Sequence, residues 1–233
     1  MLQHRDLEIV LATGIDGARQ ARGTVVVIDV LRSFSVSAYA LAGGALECRL
    51  VPTVTEARAL AERTLGAVLC AEEGALPIAG IAISNSPTQI RATKLEGRVL
   101  VQRSSAGTPV VAAVEAQHIF AASLVVARAT IQACLLTEPR VLTLVASADF
   151  PEDHACATYM AAIVRGEQVD IEELLRPLYE SERYHKVLSG GWPGFPPTDL
   201  ELSLTADRFN FAMPVTRHGD YHLLSRAEQA LAS

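Results

Sequence analysis

The amino-acid sequence predicts a three-layer α/β/α fold with a largely parallel or mixed central sheet, and two observations lead to this prediction. Short β-branched runs alternate with longer helical patterns through most of the 233 residues, and repeated strand–helix units of this size indicate crossover connections between parallel strands. Residues 24–30 form an almost continuous apolar run, as expected for a strand that is buried on both faces.

The elements of the first half follow from apolar periodicity and from residues that start or end helices. The first predicted helix ends at Gly43 and Gly44, and the next can be capped by Thr53 or Thr55, with Glu56 in its first turn. Up to residue 101 the predicted elements are a strand at 24–30, a helix at 34–41, a strand at 46–51, a helix from Thr53 or Thr55, a strand at 67–71, a loop containing Pro77 and Gly80, a helix start at 84–87 and a strand at 98–101.

The second half continues the alternation as far as Gly166, and its pattern then changes. Glu152 and Asp153 suit the first turn of a helix, where the positive end of the dipole lies. The predicted elements are a helix at 108–116, a strand at 118–122, a helix at 125–136, a strand at 140–146, a helix at 151–165, a polar helix at 171–184, a Gly/Pro-rich loop at 189–197, a helix near 199–205 and a strand near 210–216.

Residues 1–233 are interpreted as a single α/β domain. Its C-terminal segment, residues 167–233, is expected to pack on that domain, to cover one edge of the sheet or to reach a partner. A homodimer is compatible with the apolar surplus of the sequence, and a large buried core explains the same composition.

Composition and charge exclude several classes of protein. A net charge of −6 and a pI near 5.5 argue against nucleic-acid binding, which needs a basic face. No apolar stretch is long enough to span a bilayer, and residues 1–10 lack the apolar core of a signal peptide. The four cysteines are far apart, which favours reduced thiols. We therefore expect a soluble cytoplasmic protein.

Chemically active residues follow several predicted strands. Asp29 and Arg32 lie at the end of the first strand, Glu72 at the end of the third, and Ser123 at the end of the strand at 118–122. If the strands are parallel, these groups emerge at one carboxyl edge, which is where open α/β sheets bind ligands.

Asp29 is the central candidate, because a carboxylate after four β-branched apolar residues is costly without a cation or hydrogen-bond donors. A strand-end aspartate is also commonly a helix cap. Arg32 could neutralise it or grip a phosphate with two hydrogen bonds. Glu72 and Glu73 would ordinarily form a solvated turn, but as metal ligands such carboxylates suit Mg²⁺.

The segment 104–108 (SSAGT) joins a strand to a helix with small residues. Its backbone amides and the helix N-terminus could approach a phosphate. The spaced glycines and the lysine of a Walker A motif are missing, and many α/β proteins have similar turns. The six histidines show no zinc-binding spacing.

These motifs occur together, in order, in a known family. Asp29–Ser33 (DVLRS), Glu72 with Gly74, the NSP motif at 85–87, the RSSAGT loop at 103–108, Ser123 and the Glu152–Asp153 pair resemble the 2-phosphosulfolactate phosphatase family. These are Mg²⁺-dependent phosphatases associated with coenzyme M biosynthesis. The resemblance covers roughly residues 20–166 and extends loosely through Asp199, Asp207 and Pro214.

The resemblance implies a Mg²⁺ ion and hydrolysis of the phosphate ester of a 2-hydroxy acid. The candidate residues that it implies fall into three groups: catalytic Asp29, Arg32 and Glu72; phosphate- or substrate-binding Asn85, Ser86, Arg103, Ser104, Ser105, Gly107, Thr108 and Ser123; and metal-binding Asp29, Glu72, Glu152 and Asp153. Arg103 could contact a substrate carboxylate or sulfonate, or form a surface ion pair.

Two positions depart from the family pattern. Ala106 replaces an asparagine of the family's loop, and Ser84 stands where glycine is usual. These departures leave two alternatives open: a phosphatase for another small phosphoester, and a binding protein that retains the anion pocket without turnover.

Overall fold

A computed structural model describes residues 7–228 of the chain. Residues 1–6 lie outside this range. They are the first part of the segment 1–10, which was predicted not to be a signal peptide. The described part is an α/β fold whose large, mostly parallel mixed sheet is flanked by helices, which confirms the predicted fold class. No helix within residues 7–228 is long and apolar enough to cross a membrane.

The sheet contains two parallel groups of strands. One group has the order β1 (Glu8–Thr13), β8 (Val141–Ala146), β2 (Thr24–Ile28) and β7 (His118–Ala122). The other has the order β3 (Glu47–Leu50), β6 (Val99–Arg103) and β4 (Val68–Glu73), with the short β5 (Leu76–Pro77) antiparallel to β4.

A C-terminal hairpin joins the two groups in the middle of the sheet. Strand β9 (Phe211–His218) pairs antiparallel with β7, and β10 (Tyr221–Leu224) pairs antiparallel with both β9 and β3. Strand β11 (Ala227–Glu228) adds to β9. The expectation that the C-terminal segment covers an edge of the sheet is therefore wrong for this hairpin.

Three successive antiparallel pairings separate β7 from β3, so the two parallel groups run in opposite directions. A flat sheet would place their carboxyl ends at opposite edges. Helix α2 (Ser33–Ala42) contacts β7 of one group and β3 of the other, and every residue from Ser33 to Leu41 is buried. Gln102 at the end of β6 donates a hydrogen bond to the Ser33 carbonyl at the start of α2, at 2.7 Å.

The other helices surround this core. Their bounds are α1 Gly14–Gln20, α3 Val54–Arg63, α4 Pro87–Arg91, α5 Gly107–Ala113, α6 Ala127–Leu135 (after a 3₁₀ turn, Leu124–Val126), α7 Pro151–Arg165, α8 Ile171–Leu174, α9 Arg176–Tyr179, α10 Glu182–Leu188 and α11 Thr198–Leu204.

Two helices begin at capping residues that the sequence predicted. Thr53, not Thr55, caps α3, and it forms a reciprocal capping box with Glu56. Ser86 caps α4, with Pro87 in its first turn.

The single polar helix predicted over 171–184 is wrong, because the chain forms three short helices there. Pro177 lies in the first turn of α9, where its ring and missing amide interrupt any helix continuing from α8. Ser181 then caps α10 by accepting a hydrogen bond from the Tyr184 amide. The predicted loop around Pro77 contains the two-residue strand β5. The elements β1, α1, β10 and β11 were not predicted from the sequence.

Candidate active site

A cavity of about 410 Å³ lies where the carboxyl ends of the two parallel groups meet. Its lining residues are Asp29, Leu31, Arg32, Glu72, Gly74, Ala75, Asn85, Ser104, Ser105, Ala106, Ala148, Phe150, Arg183 and Trp192. Six of the residues singled out from the sequence are therefore brought together here: Asp29, Arg32, Glu72, Asn85, Ser104 and Ser105.

Asp29 follows β2 directly and is only 5% exposed. Its Oδ1 accepts a hydrogen bond from the Ser33 amide at 2.9 Å, and its Oδ2 accepts one from the Gly107 amide at 3.0 Å. Burial raises the pKa of Asp29 to about 6, and the charges of Glu72 and Glu152 contribute to the rise. Asp29 thus binds an amide at the start of α2 and also faces the cavity.

Glu72 is buried rather than part of a solvated turn, whereas its neighbour Glu73 is exposed. Its Oε1 accepts a hydrogen bond from the Ser105 amide at 2.5 Å. Its Oε2 accepts hydrogen bonds from the Ala75 amide at 2.6 Å and from the Ser105 hydroxyl at 3.1 Å. These donors fix the orientation of the carboxylate at the cavity wall.

The loop at 104–108 orients these two carboxylates. Its Ser105 and Gly107 amides, predicted from the sequence as phosphate donors, donate to Glu72 and Asp29. Glycine is required at 107, because a Cβ atom there would lie 2.6 Å from Asp29 Oδ2. Thr108 and Ser104 bond to each other across the loop, and neither Gly107 nor Thr108 lines the cavity.

Glu152 and Asp153 lie in the first turn of α7, and both are buried. Asp153 accepts hydrogen bonds from the Val30 amide and the Ser147 hydroxyl, each at 2.8 Å. Burial raises the pKa of Asp153 well above its ordinary value, and the charges of Asp29 and Glu152 add to this effect. Neither Glu152 nor Asp153 lines the cavity directly.

Glu152 leaves one buried oxygen without a partner. Its Oε1 forms an ion pair with Arg183 Nη1 at 2.5 Å, while Oε2 has no hydrogen-bond partner among the described residues. A buried, unpaired carboxylate oxygen is costly, and a cation near it would remove that cost.

The donor set fits a magnesium ion held by few protein ligands. Within residues 7–228, no three histidine, cysteine, aspartate or glutamate side chains converge as a metal cage. Mg²⁺ is commonly bound by one or two carboxylates, with water and substrate phosphate completing its shell. Burial and, to a smaller extent, the charges of Glu72 and Glu152 disfavour the ionised form of Asp29, and a bound cation would favour that form.

Arg32 is held against the C-terminal segment. Its Nη1 donates to Asp199 Oδ2 at 2.9 Å and to the Gly194 carbonyl at 2.7 Å, and its guanidinium lies 3.9 Å from the centre of the Phe195 ring. Asp199 is completely buried, and its Oδ1 accepts a hydrogen bond from the Ser86 hydroxyl at 2.7 Å. Ser86 therefore holds Asp199 and does not line the cavity.

The remaining predicted residues differ in position. Asn85 lines the cavity at a backbone φ of 61°, and its Oδ1 accepts a hydrogen bond from Gln102 at 2.8 Å. Arg103 does not line the cavity, since its guanidinium donates to the carbonyls of Pro52 and Glu72. Ser123 also lies away from the cavity, and its buried hydroxyl has no partner among the described residues.

Sequence reasoning did not select Arg183 and Trp192 as site residues. Both belong to the C-terminal segment, where Arg183 lies in α10 and Trp192 in the following loop. The Trp192 indole donates to the Ala75 carbonyl at 3.2 Å. Trp192 is the only tryptophan of the chain, which was a usable signal, whereas Arg183 lies in a run of polar residues that nothing distinguishes.

The family model and the related proteins that match this chain carry the same description. A family model described as 2-phosphosulpholactate phosphatase matches residues 11–189. A Bacillus subtilis protein named probable 2-phosphosulfolactate phosphatase is 31% identical over 206 residues, which are 86% of this chain and 90% of that protein. Proteins of the same name are 34% identical in Carboxydothermus hydrogenoformans, over 64% of this chain and 63% of theirs, and 28% identical in Thermoplasma acidophilum, over 79% and 82%.

Proposed function

The chain belongs to the 2-phosphosulpholactate phosphatase family, and from this membership we propose that it hydrolyses a small phosphorylated 2-hydroxy acid, such as 2-phosphosulfolactate, in a Mg²⁺-dependent reaction. The observation that carries the proposal is the cavity, where buried carboxylates and two arginines surround a space large enough for such a metabolite. The proposal includes a cytoplasmic location and a role in coenzyme M biosynthesis.

The acidic residues supply the binding site for the ion in this proposal. Asp29 would hold it, with help from Glu72 or from the Glu152–Asp153 pair. Each Asp29 oxygen already accepts a hydrogen bond from one backbone amide. A carboxylate oxygen has a second lone pair, which can bind an ion. Mg²⁺ bound there would offset the negative charge of the phosphate oxygens, including the charge that develops on them during hydrolysis.

The other residues of the cavity would bind and orient the substrate. Arg32 is three residues from Asp29 and carries a fixed positive charge at the same wall, which suits a phosphate oxygen. Asn85 and Ser104 add polar groups beside it. The raised pKa of Asp29, about 6, also suits a group that exchanges a proton near neutral pH, so Asp29 remains a candidate for the general base or the nucleophile.

Phosphate release from a panel of esters tests the proposal. The panel contains 2-phosphosulfolactate, 2-phospholactate and unrelated small phosphoesters, each assayed with Mg²⁺ and with EDTA. We expect Mg²⁺-dependent release from the phosphorylated 2-hydroxy acids and its loss in Asp29→Asn. Release from unrelated esters alone would identify a different substrate, and binding without release from any ester would contradict the enzymatic function.

A further inference from the structure

We propose that Arg183 is the specificity-determining residue that binds the acid group of the substrate, the carboxylate or sulfonate that accompanies the phosphate. This inference rests on the proposed function, because it assigns the substrate class to a residue of the same cavity. Arg183 lies in α10 of the C-terminal segment, outside the strand-end motifs that supply Asp29 and Glu72.

The charges around the cavity leave few places for a second anionic group. Asp29 and Glu72 line one part of the wall and would repel an acid group placed beside them. Arg32 and Arg183 are the cationic side chains among the lining residues. If Arg32 binds the phosphate, the acid group has Arg183 as its cation.

Arg183 is held in place but keeps donors in reserve. Its Nη1 donates to Glu152 Oε1 at 2.5 Å and its Nη2 donates to the Leu31 carbonyl at 3.2 Å. The guanidinium also lies 4.2 Å from the centre of the Phe150 ring. These bonds use two of the five N–H groups of an arginine, so the side chain can still offer a paired contact to a carboxylate or sulfonate.

Exposure separates the two arginines. The Arg32 side chain is 2% exposed and its partner Asp199 is fully buried, whereas the Arg183 side chain is 22% exposed. Arg103, the residue that the sequence offered for this contact, has its guanidinium against backbone carbonyls and does not line the cavity. Leu31, Phe150 and Trp192 give the cavity an apolar wall, beside which an acid group needs a cation.

Equilibrium binding of two matched phosphonates tests the assignment in buffer containing Mg²⁺. The first is 2-methyl-3-phosphonopropanoate, a non-hydrolysable analogue of 2-phospholactate. The second is isobutylphosphonate, in which a methyl group replaces the carboxylate. Calorimetric titrations would compare wild type, Arg183→Gln and a matched control, Arg176→Gln, in which the arginine is 62% exposed and pairs with Glu173 on the surface.

In wild type we expect the carboxylate analogue to bind more tightly than isobutylphosphonate. Arg183→Gln should weaken the carboxylate analogue about 10- to 100-fold, as expected for a lost charge-assisted hydrogen bond. The same variant should leave isobutylphosphonate within about twofold of wild type, and Arg176→Gln should change neither affinity. An equal loss for both ligands, no loss for either, or no binding of either ligand to wild type would overturn the assignment.

The double variant Glu152→Gln/Arg183→Gln distinguishes recognition from charge balance. Arg183→Gln alone leaves the Glu152 carboxylate buried without its ion pair, which could unfold the protein. The double variant removes both charges. Because Glu152 is also a candidate metal ligand, both ligands can bind more weakly, and the test is the ratio of their two affinities, which should fall as it does in Arg183→Gln. Selective binding by a wild-type protein that releases no phosphate from any ester would contradict the proposed function and leave this assignment standing.

Discussion

At the scale of single residues, two opposing effects act on the ionisation of Asp29. Two backbone amides hold its carboxylate, but burial and the neighbouring charges of Glu72 and Glu152 disfavour ionisation. A metal ligand or a proton acceptor needs the ionised form, so the residue is placed for chemistry at a cost to folding stability.

This conflict predicts how the stability of Asp29→Asn depends on pH. The pKa of Asp29 is about 6 in the folded protein and 3.8 ordinarily, so ionisation penalises the folded state fully above pH 6 and not at all well below pH 4. Without metal at pH 8, Asn should raise the free energy of unfolding by about 1–2 kcal/mol, after about 1 kcal/mol is lost because the Asn amide cannot accept from Gly107.

Urea unfolding of wild type and variant in EDTA at pH 4, 6 and 8 measures this effect. The gain should shrink as the pH falls below 6 and become a net loss of up to about 1 kcal/mol near pH 4, where mainly the lost Gly107 hydrogen bond remains. Asp16→Asn is the matched control, because the Asp16 side chain is 88% exposed. A pH-independent difference between wild type and Asp29→Asn would show that ionisation of Asp29 does not limit stability.

Sequence reasoning reached Asp29, Glu72 and Asn85 because each follows a recognisable strand or starts a helix. The sequence predicted that the amides of the 104–108 loop bind phosphate. A turn of small residues indicates that amides are available as donors, but it does not indicate which acceptors they bind. The amides of Ser105 and Gly107 reach carboxylates from β4 and from the end of β2, and that partnership depends on tertiary packing.

At the scale of elements, helix α11 supports the cavity wall from the C-terminal part of the chain, because its Asp199 holds Arg32. Asp199 in its first turn joins Arg32 to the Ser86 hydroxyl and to the Thr88 amide in the first turn of α4. Three segments that are distant in sequence therefore meet at one buried carboxylate. Periodicity located the helix but could not show what its aspartate contacts.

Asp199→Asn should destabilise the protein strongly. The variant leaves the Arg32 guanidinium buried without its counter-charge, and breaking a buried ion pair in this way costs about 3–5 kcal/mol. Phosphatase activity should fall as well, because Arg32 loses the partner that positions it. Chemical denaturation and phosphate release would measure the two effects.

The exposed pair of Arg19 and Asp16 gives the control for this prediction. Its side chains are 67% and 88% exposed, so Asp16→Asn should cost less than about 1 kcal/mol. Adding Arg32→Met to Asp199→Asn should recover part of the stability, since it removes the unpaired charge. Equal stability of Asp199→Asn and wild type would show that the ion pair contributes nothing to folding.

At the scale of the whole molecule, the sheet consists of two parallel groups that run in opposite directions and are joined by β9 and β10. Strand–helix alternation predicted that the strands would be mostly parallel, which the pairings within each group confirm, but it did not assign which strands pair. It could not predict that a C-terminal hairpin would enter the middle of the sheet. That insertion pairs β9 with residues about 90 positions away and β10 with residues about 175 positions away, and the sequence pattern carries no record of the pairing.

The central position of β9 predicts that its core residues matter as much as those of the first strands. Met213 pairs with Ala121 of β7 and is fully buried, so Met213→Ala should lower the free energy of unfolding by about 2–5 kcal/mol. Leu11 lies in β1 at the edge of the sheet and is 59% exposed, so Leu11→Ala should change stability by less than about 0.5 kcal/mol. Denaturant titrations of both variants measure the contrast. A tail that merely covered an edge would give Met213→Ala an effect as small as that of Leu11→Ala, and such a result would contradict the central placement of the hairpin.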